Sequence, residues 1–394
     1  MHERVFDEPL IPRTTFLTAT ESPVNWFLHS TLPEAIEGRR IINDLYSRFP
    51  DKSGHMWERL RGDNEKDRLS ALDELLVHDE LAGSYRVEYE EGDGTCPEFR
   101  LYKHQDGAYV GTVEVVTLFL RKDWEAVERR NAVLQDALNA RLRLTTHWID
   151  FEVRRWDSNS PPKTGHMVKW IEDALSELRT DPSALPVDRF GRQEKVYSTR
   201  TVDIAFRFLP LSPTYVVDEN ARVVLGGAPI SGFINSGTRL RERLDDKARK
   251  YDLHGKPFAV VVGVRDPVCD IGQVYEALVG TEEIVVPTLE SRHTADDFTH
   301  VESRRKGDGF FGIWGHRGEG KHQQVSAVFS VHEWYPGGPY RPRITRFDNP
   351  MAAAPFPEDG LSYSGRWGMT ERDATHVHAA WLIPPVAPIP AREP

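Results

Sequence analysis

The feature that most constrains what this chain can fold into is the way its apolar period changes between residues 65 and 157. After a solvated run, Asp63-Asn64-Glu65-Lys66-Asp67, whose Asp or Asn can cap a helix, the apolar residues from Leu69 to Leu81 recur at helical spacing and Gly83 ends the element. Period-two alternation then runs from Tyr85 to Glu90, through a Gly92-Asp93-Gly94 turn into Glu98 to Tyr102, and through Asp106-Gly107 into Tyr109 to Leu120. The period switches back at Trp124, Val127, Leu134, Leu138 and Leu142, which share a helical face, and a strand follows from Trp148 to Val153. The order predicted is helix, three antiparallel strands, helix, strand.

The flanks read more simply. Leu32, Ala35, Ile36, Ile41, Ile42, Leu45 and Phe49 predict a small helical lead-in broken at Gly38. Beyond a Pro-containing loop at 158–163, a helix carries Met167, Trp170, Ile171, Ala174, Leu175 and Leu178 on one face. Val196 to Leu209 reads as strand, Thr238 to Tyr251 as helix, Phe258 to Val264 as a buried strand, Ile271 to Leu278 as helix and Val325 to Val331 as strand. The expected domains are therefore a lead-in at 1–64, a core at 65–157, an α/β extension at 158–355 packed on the same core, and a Pro/Ala-rich tail at 356–394 that drapes over the surface. The fold class is α/β (α+β), with a mixed sheet.

Composition removes several function classes. The 394 residues, 39% hydrophobic and 10% aromatic, suffice to bury a core. Fifty Lys and Arg against 61 Asp and Glu leave a net charge of -11, so a polyanion is met by a local basic patch and not by a global field. Cys96 and Cys269 stand far apart, which excludes a disulfide framework and fits a reduced, cytoplasmic setting. The acidic start has no secretory pattern, and no apolar run approaches the roughly 20 residues of a membrane span. His293, His300, His316, His322 and His332 show no zinc spacing, and Gly312 to Lys321 lacks the Gly-Lys-Ser/Thr ending of a phosphate loop.

Two acids carry the chemistry. Metal-assisted phosphodiester cleavage needs carboxylate oxygens converging on a hard cation that polarises phosphate and lowers the pKa of water. Glu98 follows Cys96-Pro97, and Glu114 lies sixteen positions on in Val113-Glu114-Val115-Val116, an interval a hairpin can close onto one sheet face.

With these residues in order, the chain resembles the PD-(D/E)XK nuclease-like superfamily, whose core is a helix, three strands, a helix and a strand. Pro97-Glu98 stands where its Pro-Asp would, Glu114-Val115-Val116 where its Glu-X-Lys would, and Leu72-Asp73-Glu74-Leu75-Leu76 resembles its first-helix Glu-Leu pattern. The chain is also similar to actinobacterial restriction-endonuclease-like proteins in Asp136 to Asn139, in Lys247 to Val262 and in Asn349-Pro350, a likeness covering roughly residues 65–355. The resemblance implies a restriction-endonuclease-like core, Mg²⁺ or Mn²⁺ at Glu98 and Glu114 with Glu74 assisting, nucleic acid, chiefly DNA, as substrate, and a homodimer or a defence-system protein as partner.

The sequence departs from that pattern twice. The first acid is Glu and not Asp, and the usual lysine position holds Val116, which cannot orient a water. Lys247 is the leading substitute because it falls on the apolar stripe of its helix with Leu240, Leu244, Ala248 and Tyr251, although it also suits a snorkelling stem; Lys122 is a second candidate. Arg121, Arg129 and Arg130 offer phosphate contacts, and Arg304, Arg305 and Lys306 form the densest basic cluster, read as a loop able to clamp a strand. Two functions stand: a Mg²⁺-dependent nuclease, or a catalytically silent relative serving as a nucleic-acid-binding or protein-interaction module.

Overall fold

A computed structural model describes residues 3–7, 13, 18–21, 23–89, 96–120, 122–143, 146–157, 163–181, 183–188, 191–212, 223–227, 236–251, 255–285, 302–313, 321–332, 334–338, 341–372 and 377–385. In chain order come α1 (Pro23–His29), α2 (Pro33–Arg48), α3 (His55–Arg61), α4 (Glu65–Ala82), β1 (Tyr85–Tyr89), β2 (Phe99–Lys103) and β3 (Tyr109–Leu118). Then follow α5 (Lys122–Asn139), β4 (His147–Trp156), α6 (Thr164–Thr180), β5 (Gln193–Ser198), β6 (Val202–Pro210) and β7 (Val224–Gly227). The last part holds α7 (Ser236–Lys250), β8 (Phe258–Val264), α8 (Ile271–Val279), β9 (Glu282–Val285), β10 (Glu302–Arg305), β11 (Ala327–His332), β12 (Arg343–Asp348), β13 (Gly365–Arg372) and β14 (Val377–Ile383).

These elements form two compact units, one of Met1–Pro9, Thr31–Phe119 and Ile234–Pro394, the other of Leu10–Ser30 and Leu120–Phe233. The first is built on an eight-stranded mixed sheet ordered β1-β2-β3-β8-β11-β12-β13-β14. Its β1, β2 and β3 are antiparallel, and β3 and β8 are parallel. Helix α4 packs on β1, β3 and β8, while α7 packs on β3 and on α8. Asn64 caps α4 by accepting from the Asp67 N–H, and α4 buries residues on nearly every side because α2 and α3 contact it away from the sheet. Val116, Leu118, Val260 and Val262 join Leu240, Leu244 and Ala248 of α7 and Val274 and Leu278 of α8 in one apolar cluster.

The second unit carries a four-stranded sheet ordered β5-β6-β4-β7. Ile149, Phe151, Ile204, Phe206 and Phe208 pack against Leu134 and Leu138 of α5 and Met167, Ile171 and Leu175 of α6. Asn139 ties α5 to β7 by accepting from the Val223 and Val224 N–H groups at 2.9 Å and donating to the Val224 carbonyl at 3.0 Å.

The strand expected to complete the sheet of β1 to β3 therefore lies elsewhere. Strand β4 pairs with β6 along nearly its whole length, and β8 takes the place beside β3. The cause is in the side chains: β4 alternates apolar and polar residues, which suits a sheet covered on one face, whereas Phe258 to Val262 is apolar throughout and suits a central strand covered on both. The helix and strand at 122–156, read as part of the core, thus belong to the unit that separates β3 from α7.

Three further expectations change. Residues 365–372 and 377–383 are not surface drape; as β13 and β14 they extend the sheet, and Trp367 is only 1% exposed. Helix α2 runs unbroken through Gly38, where the turn at Gly337 (φ 76°) lies so close that a Cβ there would sit 3.1 Å from the Gly38 Cα. The Arg304-Arg305-Lys306 cluster is not a loop, because β10 pairs antiparallel with β9 over 302–305.

Candidate active site

Pairing in the β2–β3 hairpin sets Phe99 opposite Val113, and one further step of that register sets Glu98 opposite Glu114. Glu98 precedes β2, and its Oε2 accepts the Val115 N–H at 2.9 Å. Glu114 is fully buried. On the next residue of the same face, Val116 belongs to the apolar cluster under α7. The amine absent from position 116 arrives from the helix above it: Lys247 Nζ donates to Glu114 Oε1 in an ion pair. Lys247 is thereby held against a carboxylate, with its side chain 27% exposed.

Burial, reinforced by the facing Glu114 carboxyl, raises the pKa of Glu98 well above the ordinary glutamate value. Negative charge on Glu98 is therefore disfavoured until a cation offsets it. Tyr251, one turn beyond Lys247, turns its hydroxyl to Glu114; burial and that carboxyl keep it protonated far above the usual tyrosine range. The Tyr251 ring packs edge-on to Phe258.

Glu74 stands near this pair but is occupied. Arg59 of α3 donates to both of its oxygens at 2.8 Å and to Asp67 at 2.8 Å, and the Tyr89 hydroxyl lies 3.3 Å from Glu74 Oε2. A metal-ligand role for Glu74 would require opening that bidentate pair. Neither Arg59 nor Tyr89 stands out in the sequence; the only signal is that α4 is apolar on the side Glu74 shares with Val77 and Leu81.

A second buried acid also escapes sequence reasoning. Asp73 accepts from the Thr117 hydroxyl at 2.9 Å and pairs with Arg265, and a Cβ at Gly263 would strike its carboxylate. Its oxygens are used, so it locks α4 onto β3 and β8 on the face away from Lys247.

The remaining candidates are scattered. Arg121 lies outside the described residues, as does the side chain of Lys122, which begins α5 of the other unit. Arg129 and Arg130 are exposed on α5, with Arg130 5.7 Å from the Trp156 ring centre. Arg304 has no described side chain, Lys306 is exposed, and Arg305 donates to the Gly280 carbonyl at 2.9 Å and lies over Tyr275. His293, His300 and His316 lie outside the described residues.

Among the described residues no group of three or more His, Cys, Asp or Glu is placed to hold a metal. The Glu98–Glu114 pair nonetheless fits a hard divalent cation: its donors are all oxygen, and Glu114 Oε2 is buried with no hydrogen-bond partner. Mg²⁺ and Mn²⁺ take one or two carboxylates and keep water elsewhere. No described helix is long and apolar enough to cross a membrane. Compared with known proteins, the chain matches no family model, no curated protein and no solved structure.

Proposed function

We propose that this protein is a Mg²⁺- or Mn²⁺-dependent nuclease of the cytoplasm, with DNA as its expected substrate. One observation carries the reading: a lysine amine from α7 meets Glu114 on the sheet position opposite Glu98. The order α4, β1, β2, β3, α7, β8, with β8 parallel to β3, supports a restriction-endonuclease-like core interrupted by the unit at 120–233.

Glu98 and Glu114 would hold the cation, which when bound supplies Lewis-acid polarisation of phosphate and a more acidic water. Glu98 would give up its proton to hold a cation. The Lys247 ammonium neutralises charge on the Glu114 side and offers N–H donors to a phosphate oxygen or to the attacking water. Val116 and Leu118 keep the floor of the site apolar, which strengthens each of these interactions.

The test is incubation of the purified chain with supercoiled DNA, linear DNA and single-stranded RNA in Mg²⁺ and in Mn²⁺. Cleavage should be abolished by EDTA, by E114A and by K247A, and should persist within about tenfold in E74Q if Arg59 keeps Glu74 occupied. An E114A protein that cuts at the wild-type rate would overturn the assignment. Binding without cleavage would favour the catalytically silent module.

A further inference from the structure

A cavity with a volume of about 350 Å³ lies on a face of α7 different from that of Lys247. Arg241, Asp245 and Arg249 line it at four-residue spacing, which places all three on one helical face. At about 100° per residue, Lys247 points to nearly the opposite side. Phe310, Lys321 and His322 close the other wall, fixed to the fold because Phe310 N–H donates to the Ala277 carbonyl and Lys321 N–H to the Phe311 carbonyl.

His322 is constrained three times over. Its backbone is left-handed at φ 50°, the only such non-glycine among the described residues. Its ring is stacked flat on buried Phe310, with centroids 4.3 Å apart and planes 8° from parallel. Its Nε2 lies 2.7 Å from Asp245 Oδ1. A backbone strain of this kind is sustained where surrounding contacts over-determine it, and it is concentrated at sites that bind or react.

The charges of the cavity are unequally used. Arg241 is paired with Asp308 at 2.9 Å, and Asp245 is taken by His322. Arg249 and Lys321 have no carboxylate partner among the described residues, and both stand close enough to His322 for their charges to act on it. In a chain of net charge -11, two uncommitted cations beside an oriented imidazole form a local exception.

We propose that this cavity binds a phosphate monoester, with Arg249 and Lys321 supplying charge and His322, fixed by Asp245 and Phe310, forming a rigid wall. Pockets of a few hundred Å³ take ligands of nucleotide size, so the phosphate belongs either to a free mononucleotide or to the 5′ end of a nucleic-acid strand. This site stands apart from Glu98 and Glu114 and does not depend on cleavage.

The experiment is calorimetric titration of the full chain, in EDTA so that no cutting intrudes, with inorganic phosphate, AMP, and one oligonucleotide with and without a 5′-phosphate. Saturable binding of the phosphorylated probes, weakened about tenfold or more in the R249Q/K321Q variant, is expected. Both residues are exposed, so that variant should fold, and its melting temperature checks this. H322Q should weaken the same probes while leaving the unphosphorylated oligonucleotide unaffected. Tighter AMP than 5′-phosphorylated strand identifies a free nucleotide as ligand, and the reverse order a strand end. No saturable binding of any phosphate probe, or equal binding by R249Q/K321Q and the wild type, would overturn the proposal.

Discussion

Lys247 on α7 forms an ion pair with Glu114 on β3, across 133 positions of sequence that include the larger segment of the second unit, Leu120–Phe233. The carboxylate is fully buried and the amine retains some exposure, so the two partners have unequal alternatives. Without Lys247, Glu114 is a buried charge whose remaining neighbours, the Tyr251 hydroxyl and the Glu98 carboxyl, carry no positive charge; without Glu114, Lys247 can extend into solvent.

That asymmetry predicts a particular double-mutant cycle. K247M should cost about 2–3 kcal/mol of folding stability at neutral pH, because it strands the Glu114 carboxylate. E114Q should cost about 1 kcal/mol, and the double variant should recover most of the K247M loss. Urea denaturation of the four proteins measures the coupling. Additive losses would mean that the pair contributes nothing as a pair.

The raised pKa of Glu98 sets a sign for the pH dependence. Below the ordinary glutamate pKa of 4.5, folded and unfolded chains both hold the proton, and Glu98 contributes no pH dependence. Above it the unfolded chain releases a proton that the folded chain keeps, so stability falls as pH rises, with a limiting slope of about 1.4 kcal/mol per unit from this group. E98Q should therefore match the wild type near pH 4 and exceed it in stability at pH 7 to 8. Mn²⁺ should raise the melting temperature of the wild type more at pH 8 than at pH 6, since loading must displace that proton. Melting curves at both pH values check both statements, and a Mn²⁺ shift unchanged in E98Q would place the cation elsewhere.

The residues of this site differ in how visible they are in the sequence. Glu98 and Glu114 can be found because a hairpin is local: two strands and a short turn fix which residues face each other. Lys247 can be found because a lysine on the stripe of Leu240, Leu244 and Ala248 conflicts with the helix it sits in. The partner of β3 cannot be found by following the chain in order, since a unit inserted after Phe119 supplies its own helix and strand in the expected sequence. The distinction was present in the pattern, as β4 alternates and β8 does not, but it concerns burial on one face or two and not secondary structure. Arg59 and Arg265 are invisible for another reason: each is an ordinary surface-type residue until a non-local acid, Glu74 or Asp73, is folded against it. The Asp136 and Asn139 positions were legible as a motif, yet their side chains bracket backbone, Asp136 accepting from Ala19 and Thr20 and Asn139 from β7.

The C-terminal strands give the last prediction. The Pro/Ala-rich composition suggests a tail draped over the surface, whereas Trp367 of β13 lies against Tyr275 of α8, stacks near Phe311 and belongs to the same apolar cluster as Val116 and Leu244. Truncating so large and so buried a side chain leaves a cavity that the flanking aromatics cannot refill without moving α8. W367A should lower stability by about 3–5 kcal/mol, and because that cluster forms the floor beneath Glu114 and Lys247, it should weaken any cation-induced rise in melting temperature as well. Exposed Met369 on the same strand provides the control: M369A should change stability by less than about 0.5 kcal/mol. Equal, small effects of the two substitutions would show that β13 is not part of the core.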